Sequence, residues 1–210
     1  MENATNRESR HQKVPNRPNA STARTRARIH EAFLSLAESV DFANITVNML
    51  TRQAELNRTT FYLHYSTISD LEESIVSELL DELFEGSRQI EQGIGIDHPE
   101  WHETYYRKIG QRPVLFHRLL SLPGSSPLGS RLIERHLVFI RHYWHQLGYE
   151  VEKSPEIWNL RARFAAAGLY GATQQWLEDG MREPPESVCK RSLEMIQLMS
   201  QAELTPANGD

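Results

Sequence analysis

The residues of this chain best suited to binding chemistry form a run of hydrogen-bonding side chains between positions 57 and 64. The run offers amide, guanidinium, hydroxyl and imidazole groups, on Asn57, Arg58, Thr59, Thr60, Tyr62 and His64. Hydroxyl and imidazole groups suit phosphate oxygens, and arginine is the best bidentate reader of guanine. These residue types therefore indicate contacts with double-stranded DNA.

Two short helices around a tight corner are predicted to position this run. Apolar residues recur at helical spacing over 47–54, and Thr46 is a good N-cap for them. The pattern breaks at 55–57, where Asn57 can cap a second helix over Arg58–His64. A short polar helix held against a corner is the geometry that presents side chains to a major groove. A solvated surface helix is the alternative that this pattern leaves open.

The composition favours an all-α protein with a sizeable core. The chain has 210 residues, of which 39% are hydrophobic, and this suits one or two domains. Helix formers at a 3.6-residue period dominate the sequence. No stretch approaches the roughly 20 apolar residues of a membrane span, and the N-terminus lacks the apolar run of a signal peptide. A single cysteine, Cys189, excludes an internal disulfide, so we expect a cytoplasmic protein.

Charge is distributed unevenly along the chain, although the net charge is −5. Residues 1–65 carry nine Arg and Lys against six Asp and Glu, residues 66–97 carry one against nine, and residues 98–210 carry thirteen of each. Phosphate attraction depends on local positive charge, so the N-terminal third is the predicted DNA side. The acidic block should point away from the duplex.

The predicted helices divide the chain into consecutive segments. Residues 1–21 are polar and predict a disordered arm. A first helix follows as far as Asp41, and its early turns present Arg24, Arg26 and Arg28. A capping box at Thr67 and Asp70 begins a fourth helix, which should run toward Glu91. Five further helices are predicted after it, starting at Pro99, Pro113, Leu128, Pro155 and Glu186.

The segment Thr22–Leu83 resembles the DNA-binding domain of the TetR/AcrR family of transcriptional regulators. Dispersed positions match the family signature at its spacing, namely Ile29, Ala32, Phe33, Ile45-Thr46-Val47, Ala54-Glu55-Leu56, Thr59-Thr60-Phe61-Tyr62, His64-Tyr65 and Leu71. Arg112–Leu122 and Gly168–Pro185 resemble the C-terminal domains of a subset of the family.

The resemblance implies a domain organisation and a function. A three-helix DNA-binding domain is expected over 22–82, with its helix-turn-helix motif at 45–64. A C-terminal effector-binding and dimerisation domain is expected over 83–203 and a tail over 204–210, with about nine helices in all. The implied protein is a homodimer that binds a palindromic operator, usually as a repressor, and releases it when a small molecule binds.

Site residues are carried over from the family position by position. Thr46, Tyr62 and His64 would hold phosphates, and residues 57–60 would face base edges or nearby phosphates. Arg24, Arg26 and Arg28 are either solvated charges or part of an arm that reaches a minor groove. An apolar or aromatic effector would contact residues that are first of all core material, namely Trp101, Tyr105, Phe116, Phe139, Tyr143 and Trp158. The dimer interface would contain Gly168, Gly171, Ala172, Trp176, Leu193 and Ile196, although close packing within one subunit also explains small residues in mid-helix.

Three positions depart from the family pattern. Glu55 replaces the usual corner glycine and brings an anion near DNA, Asp41 replaces a glycine after the first helix, and Ile68 replaces a phosphate-binding lysine. Glu55 and Ile68 give weight to a second hypothesis, a TetR-fold protein that binds another protein, such as a kinase coactivator. The histidines do not form a familiar metal site, and neither a nucleophile motif nor a glycine-rich phosphate loop stands out, so we expect no metal, cofactor or catalysis.

Overall fold

The computed structural model describes residues 20–85, 100–121, 127–149 and 154–201, without the side chains of residues 100, 101 and 121. Within these ranges the protein consists of nine α-helices and no strands, which confirms the predicted all-α fold. The helices are α1 Ala20–Ala37, α2 Val47–Gln53, α3 Arg58–Tyr62, α4 Ile68–Leu83, α5 Glu100–Gln111, α6 Pro113–Ser121, α7 Leu128–Gln146, α8 Pro155–Glu178 and α9 Pro185–Gln201. Almost all of the predicted arm, and the tail, lie outside the described residues.

Helices α1 to α4 enclose the N-terminal part of the hydrophobic core. Helix α1 buries Ile29 and Phe33, α3 buries Phe61, and α4 buries Leu71 and Ile75. The apolar residues of α1 and α4 recur every three or four positions, so each helix turns one stripe inward. The predicted capping box that begins α4 is present, since the side chain of each partner, Thr67 and Asp70, accepts from the other's backbone N–H.

Two helices end earlier than the periodicity predicts. Helix α1 ends at Ala37 rather than near Asp41, because the chain turns at 38–40 and enters a short 3-10 helix, Phe42–Asn44. Helix α4 ends at Leu83 rather than running toward Glu91. The apolar stripe does continue to Phe84, but this residue turns out of the helix and is buried in the core next to α5.

Helices α5 to α9 form a second layer around α8. Helix α8 packs against α6, α7 and α9, while α9 also packs against α5. Two adjacent tyrosines on α5 are fully buried and reach across the layer: the Tyr105 hydroxyl lies 3.3 Å from Thr173 Oγ1, and the Tyr106 hydroxyl lies 2.9 Å from Ser192 Oγ. None of the described helices has the length and apolar content that a bilayer crossing requires.

Two imidazoles lie within this second layer. His102 on α5 and His136 on α7 are 0% and 1% exposed, among the rings of Phe84, Tyr105, Tyr106 and Phe139. Burial lowers the pKa of both to about 3, and for His102 the neighbouring His136 lowers the pKa further. Both histidines are therefore neutral in the folded protein at pH 7.

Ion pairs join the two layers, and in each pair the cation lies on α5, α6 or α7 or, for Arg112, between α5 and α6. The carboxylates lie on α4 or in the chain that follows α1 and α4. The pairs are Lys108–Glu85 at 3.1 Å, Arg112–Glu38 at 3.8 Å, Arg118–Asp41 at 2.6 Å and Arg131–Glu73 at 2.6 Å. Glu73 and Glu85, which belong to the acidic block, therefore face the C-terminal layer, while an orientation of the block away from a DNA duplex stays a prediction.

Candidate nucleic-acid interface

A tight corner connects α2 to α3. Helix α2 begins at the predicted cap, where the Thr46 side chain accepts from the backbone N–H of Met49 at 3.3 Å. It ends at Gln53 with Ala54 as its C-cap, and Glu55 then adopts a left-handed conformation with φ of 50°. The Leu56 N–H donates back to the Thr51 carbonyl at 2.8 Å, which closes the turn. The corner is therefore of the kind that usually carries glycine, as the family pattern implies.

Helix α3 is shorter than predicted and carries the expected polar face. It spans Arg58–Tyr62, and His64 lies in the turn that follows rather than in the helix. Asn57 is the N-cap, with its Oδ1 accepting from the Thr60 N–H at 2.7 Å and from the Thr60 hydroxyl at 2.8 Å. Its amide oxygen therefore forms the predicted cap, while the contact with DNA that the resemblance implies for Asn57 stays a prediction.

The outer surface of the motif is open to solvent. The exposed positions are Thr46, Asn57, Arg58, Thr59 and Tyr62, whereas Thr60 and His64 are half-buried. Phe61 and Tyr65 are buried and anchor the segment in the core, as their alternation with polar residues predicts. The structure thus brings six of the seven predicted contact residues of the motif onto or beside one short helix, with Thr46 at the start of α2.

Leu63 is a member of this surface that sequence reasoning missed. It is 79% exposed and lies between two predicted phosphate ligands, Tyr62 and His64. An exposed leucine beside polar contacts suits apolar contact with a thymine methyl group. Its position between two predicted DNA contacts could have indicated this exposure, but an aliphatic side chain is not normally predicted to bind DNA.

A partly buried hydrogen-bond chain connects the end of the recognition segment to α1 and α4. His30 on α1 places Nδ1 2.7 Å from Glu78 Oε2 and Nε2 2.5 Å from the Tyr65 hydroxyl. The Glu78 carboxylate accepts only, so Nδ1 carries the proton and donates to it. In the neutral imidazole, Nε2 then accepts from the Tyr65 O–H. The chain fixes the tautomer of His30 and the position of Tyr65 together.

The three N-terminal arginines occupy different environments. Arg24 is exposed. Arg26 donates to Ser74 Oγ at 3.0 Å and lies 5.4 Å from the centroid of the Tyr65 ring. Arg28 donates from Nη2 to the backbone carbonyls of the corner. Two of the three predicted DNA ligands thus brace the fold around the motif.

The aromatic residues predicted to line an effector pocket are divided between two hydrophobic clusters. Tyr105 and Phe116 belong to the larger cluster, which includes α1 to α4. Phe139 belongs to a smaller cluster, with Tyr143 and Trp158 packed against it. Trp101 lies on α5, but its side chain is outside the described part. The other five residues pack in or against the hydrophobic core, and a role in effector binding stays a prediction.

A groove of about 550 Å³ runs along α8 and α9 and contains four of the six predicted dimer-interface residues. Gly168, Ala172, Trp176 and Ile196 line it, together with Phe164 and Met195, which are 65% and 61% exposed. A Cβ added at Gly168 or Gly171 would have no neighbouring heavy atom within 4 Å. Close packing within the subunit therefore does not explain these two glycines.

The cysteine is buried, and the possible metal ligands of the described ranges are dispersed. Cys189 on α9 is 2% exposed, as predicted for a small buried hydrophobe, and burial raises the pKa of its thiol to about 12. Across the described ranges, the histidines, cysteine and acids do not form a group of three or more that is placed to hold a metal ion.

Comparisons with known proteins agree with this geometry. No family model matches the chain. The chain is 26% identical over 187 residues to the helix-turn-helix-type transcriptional regulator YxbF of Bacillus subtilis strain 168, in an alignment covering 82% of this chain and 44% of YxbF. The chain thus spans less than half the length of this relative.

Solved structures share the fold over most of the chain. The dihydroxyacetone kinase operon activator DhaS superposes with a TM-score of 0.63 and 15% identity, over 84% of this chain and 96% of its own. Thermus thermophilus FadR, a TetR-family transcriptional repressor in complex with lauroyl-CoA, superposes with a TM-score of 0.55 and 18% identity, over 88% and 100%. The protein therefore has the fold of the TetR-family transcriptional regulators, a class with an N-terminal helix-turn-helix and a helical C-terminal domain.

Proposed function

We propose that this protein is a sequence-specific DNA-binding transcriptional regulator that acts in the cytoplasm as a homodimer. The single observation that carries the proposal is the outward polar face of α3, held on a closed corner whose inner side is anchored by Phe61 and Tyr65. A rigid polar helix of this kind fits a major groove, and two copies would read the half-sites of a palindromic operator.

The proposed DNA contacts divide by chemistry. Arg58 is the candidate reader of base edges, since its guanidinium is exposed at the start of α3. Thr46, Tyr62 and His64 would bind phosphates, and Leu63 would add apolar contact. The N-terminal domain over 22–82 would thus contain the DNA surface, and the domain over 83–203 would control it.

The groove along α8 and α9 supports the homodimer. Its exposed apolar side chains and its glycines with open space above them suit the close approach of a second copy. A dimer built on these helices would hold two copies of α3 at a fixed spacing. Effector binding in the C-terminal domain would change that spacing through the ion pairs that join α4 to α5 and α7. Release of DNA requires the effector to have different affinities for the two spacings.

The effector class we propose is an apolar or aromatic small molecule. The aromatic content of α5 to α8 supports it, and the lauroyl-CoA bound in the FadR complex carries an apolar acyl chain. Both a repressor and an operon activator occur among the similar structures. Repression is the more frequent mode in the family and is our proposal for this chain. A kinase coactivator that does not act through DNA is not favoured, because the relatives are regulators of transcription.

Selection of DNA fragments from a random pool, followed by fluorescence anisotropy on the enriched sequence, tests the proposal. We expect Arg58→Ala to weaken binding by about fivefold to 150-fold, because a base or phosphate contact of arginine contributes about 1–3 kcal/mol. Tyr62→Phe removes only a hydroxyl and should weaken binding by about threefold to tenfold.

The matched control is Arg107→Ala, an exposed arginine of α5 whose contacts are to its own helix. It should leave affinity unchanged. Enrichment of no sequence from the pool, or equal affinity for wild type and both α3 variants, would contradict the assignment of this face to DNA.

A further inference from the structure

We propose that Arg28 is a positioning residue for the recognition helix, which it holds through the corner backbone, and that it does not bind phosphate. This inference rests on the proposed function, because the helix it positions is the one assigned to DNA. It replaces the expectation that Arg28 contacts DNA with a role inside the protein.

The contacts of Arg28 converge on the two residues where α2 turns into α3. Its Nη2 donates to the Ala54 carbonyl at 2.5 Å and lies 3.3 Å from the Glu55 carbonyl. The same nitrogen lies 3.7 Å from Glu55 Oε2. One guanidinium therefore reaches both corner carbonyls and the carboxylate of the residue with positive φ.

The corner has a specific need for such a brace. The last carbonyls of a helix have no partner within the helix, and the C-terminus of its dipole attracts a cation. Glu55 also adopts a left-handed conformation that a side chain with a Cβ disfavours, at a position where glycine would adopt it freely. Arg28 donates hydrogen bonds to these carbonyls and thereby opposes opening of the turn. It helps to maintain the left-handed conformation at position 55, which a glycine would adopt without strain.

The brace is anchored at its other end. Arg28 directly precedes Ile29 on α1, and both Ile29 and Phe33, one turn later, are buried in the core. Only two residues, Leu56 and Asn57, separate Glu55 from the first residue of α3. A shift of the corner backbone therefore moves the recognition helix, and Arg28 links that helix to the fixed face of α1.

The pairing with Glu55 also removes an apparent obstacle to DNA binding. A lone carboxylate at the corner would repel phosphates, but Arg28 lies beside it and compensates its charge. The carboxylate is 88% exposed, so the ion pair itself adds little stability. The hydrogen bonds to the two carbonyls are what position the corner.

The test measures operator affinity against salt concentration for wild type, Arg28→Gln, Arg58→Gln, Glu55→Gly and the double variant Arg28→Gln/Glu55→Gly. A residue that contacts phosphate contributes to the slope of log affinity against log salt, whereas a positioning residue does not. We expect Arg28→Gln to lose about tenfold in affinity with an unchanged slope, while Arg58→Gln lowers the slope by about one if it contacts phosphate. Glycine at 55 should restore most of the tenfold in the double variant, because the corner conformation no longer needs the brace.

Two results would overturn the proposal: a slope lowered by about one in Arg28→Gln, or no recovery when glycine replaces Glu55. Hydrogen exchange of the Leu56 amide, which bonds to Thr51 in the closed corner, gives a readout that does not depend on DNA. It should speed up about tenfold in Arg28→Gln and return in the double variant.

This exchange measurement separates the two hypotheses. If wild type binds no DNA but the amide behaves as expected, the proposed function fails and the positioning role stands. Equal exchange in wild type and Arg28→Gln would contradict the positioning role whatever the DNA result. Should Arg28→Gln fail to fold, Arg28→Lys takes its place, because an ammonium retains one charged donor and should show a smaller loss in the same order.

Discussion

At the scale of single residues, Asn57 shows how one side chain serves both the fold and the surface. Its Oδ1 caps α3 by accepting from the Thr60 N–H and hydroxyl, while the residue lies on the exposed face. A five-residue helix has little stability of its own, so this cap holds a large share of its backbone order. A substitution at position 57 can therefore change both the stability of α3 and the charge of the exposed face.

Substitutions at Asn57 separate these two roles. Asn57→Ala should lower the free energy of unfolding by about 1 kcal/mol, because the cap is lost. Asn57→Asp keeps an acceptor of equal capping strength, so its unfolding midpoint in urea should match that of wild type. The new carboxylate places an anion on the proposed DNA face, so the same variant should bind the operator at least tenfold more weakly. Wild-type affinity in the aspartate variant would mean that this face does not approach DNA.

At the scale of elements, the pair α8 and α9 combines a buried side with an unusually apolar outer side. Ala162, Ala166 and Thr173 face the subunit core, while Leu160, Phe164, Met195 and Leu198 are each more than half exposed. Exposed apolar side chains grouped along two neighbouring helices indicate a surface that another protein covers. The glycines of α8 leave the space that close helix approach needs.

A charge placed on this surface should prevent dimerisation. Phe164→Glu is expected to convert the protein from dimer to monomer in sedimentation velocity, and to weaken operator binding about a hundredfold because the two half-sites are no longer bound together. The matched control is Val114→Glu on α6, also an exposed apolar residue at 55% but outside the groove. A dimer that persists in Phe164→Glu would exclude this surface as the interface.

At the scale of the whole molecule, the two layers are joined by electrostatics on the outside and by aromatic packing within. Phe84, at the end of α4, lies 5.8 Å from the Tyr105 ring and 5.2 Å from the His136 ring, measured between centroids. The contact between the layers thus surrounds the two buried histidines beside α4, the helix that connects the helix-turn-helix motif to the C-terminal layer. Their neutrality is a condition for keeping the layers together.

Acidification should therefore destabilise the protein through His102 and His136. Their folded pKa of about 3 lies below the unfolded value of 6.5, so the unfolded state binds more protons and stability falls as the pH falls from 6.5 toward 3. Each imidazole should cost about 2 kcal/mol between pH 7 and pH 5, measured by urea unfolding at both values. His136→Leu should remove about half of this loss, whereas His142→Gln, at an exposed position, should leave it unchanged. If His136→Leu lost as much stability as wild type between pH 7 and pH 5, His136 would not be a source of the acid sensitivity.

The sequence by itself determined the features that depend on near neighbours. The all-α fold, the caps at Thr46, Asn57 and Thr67, and the burial of Phe61 and Tyr65 follow from helical periodicity and from side chains that bond within four residues. The same local rules overestimated the lengths of α1 and α4, because periodicity does not show where tertiary packing turns the chain.

Only the tertiary structure decided the roles of residues whose partners lie far along the chain. Arg28 reaches the corner 26 residues away, and His30 reaches Tyr65 and Glu78 at separations of 35 and 48 residues. An arginine on an exposed turn looks the same in sequence whether it binds phosphate or braces a corner. The physical reason is that a long side chain is free to meet either partner, and the packing of α1 against the motif chooses between them.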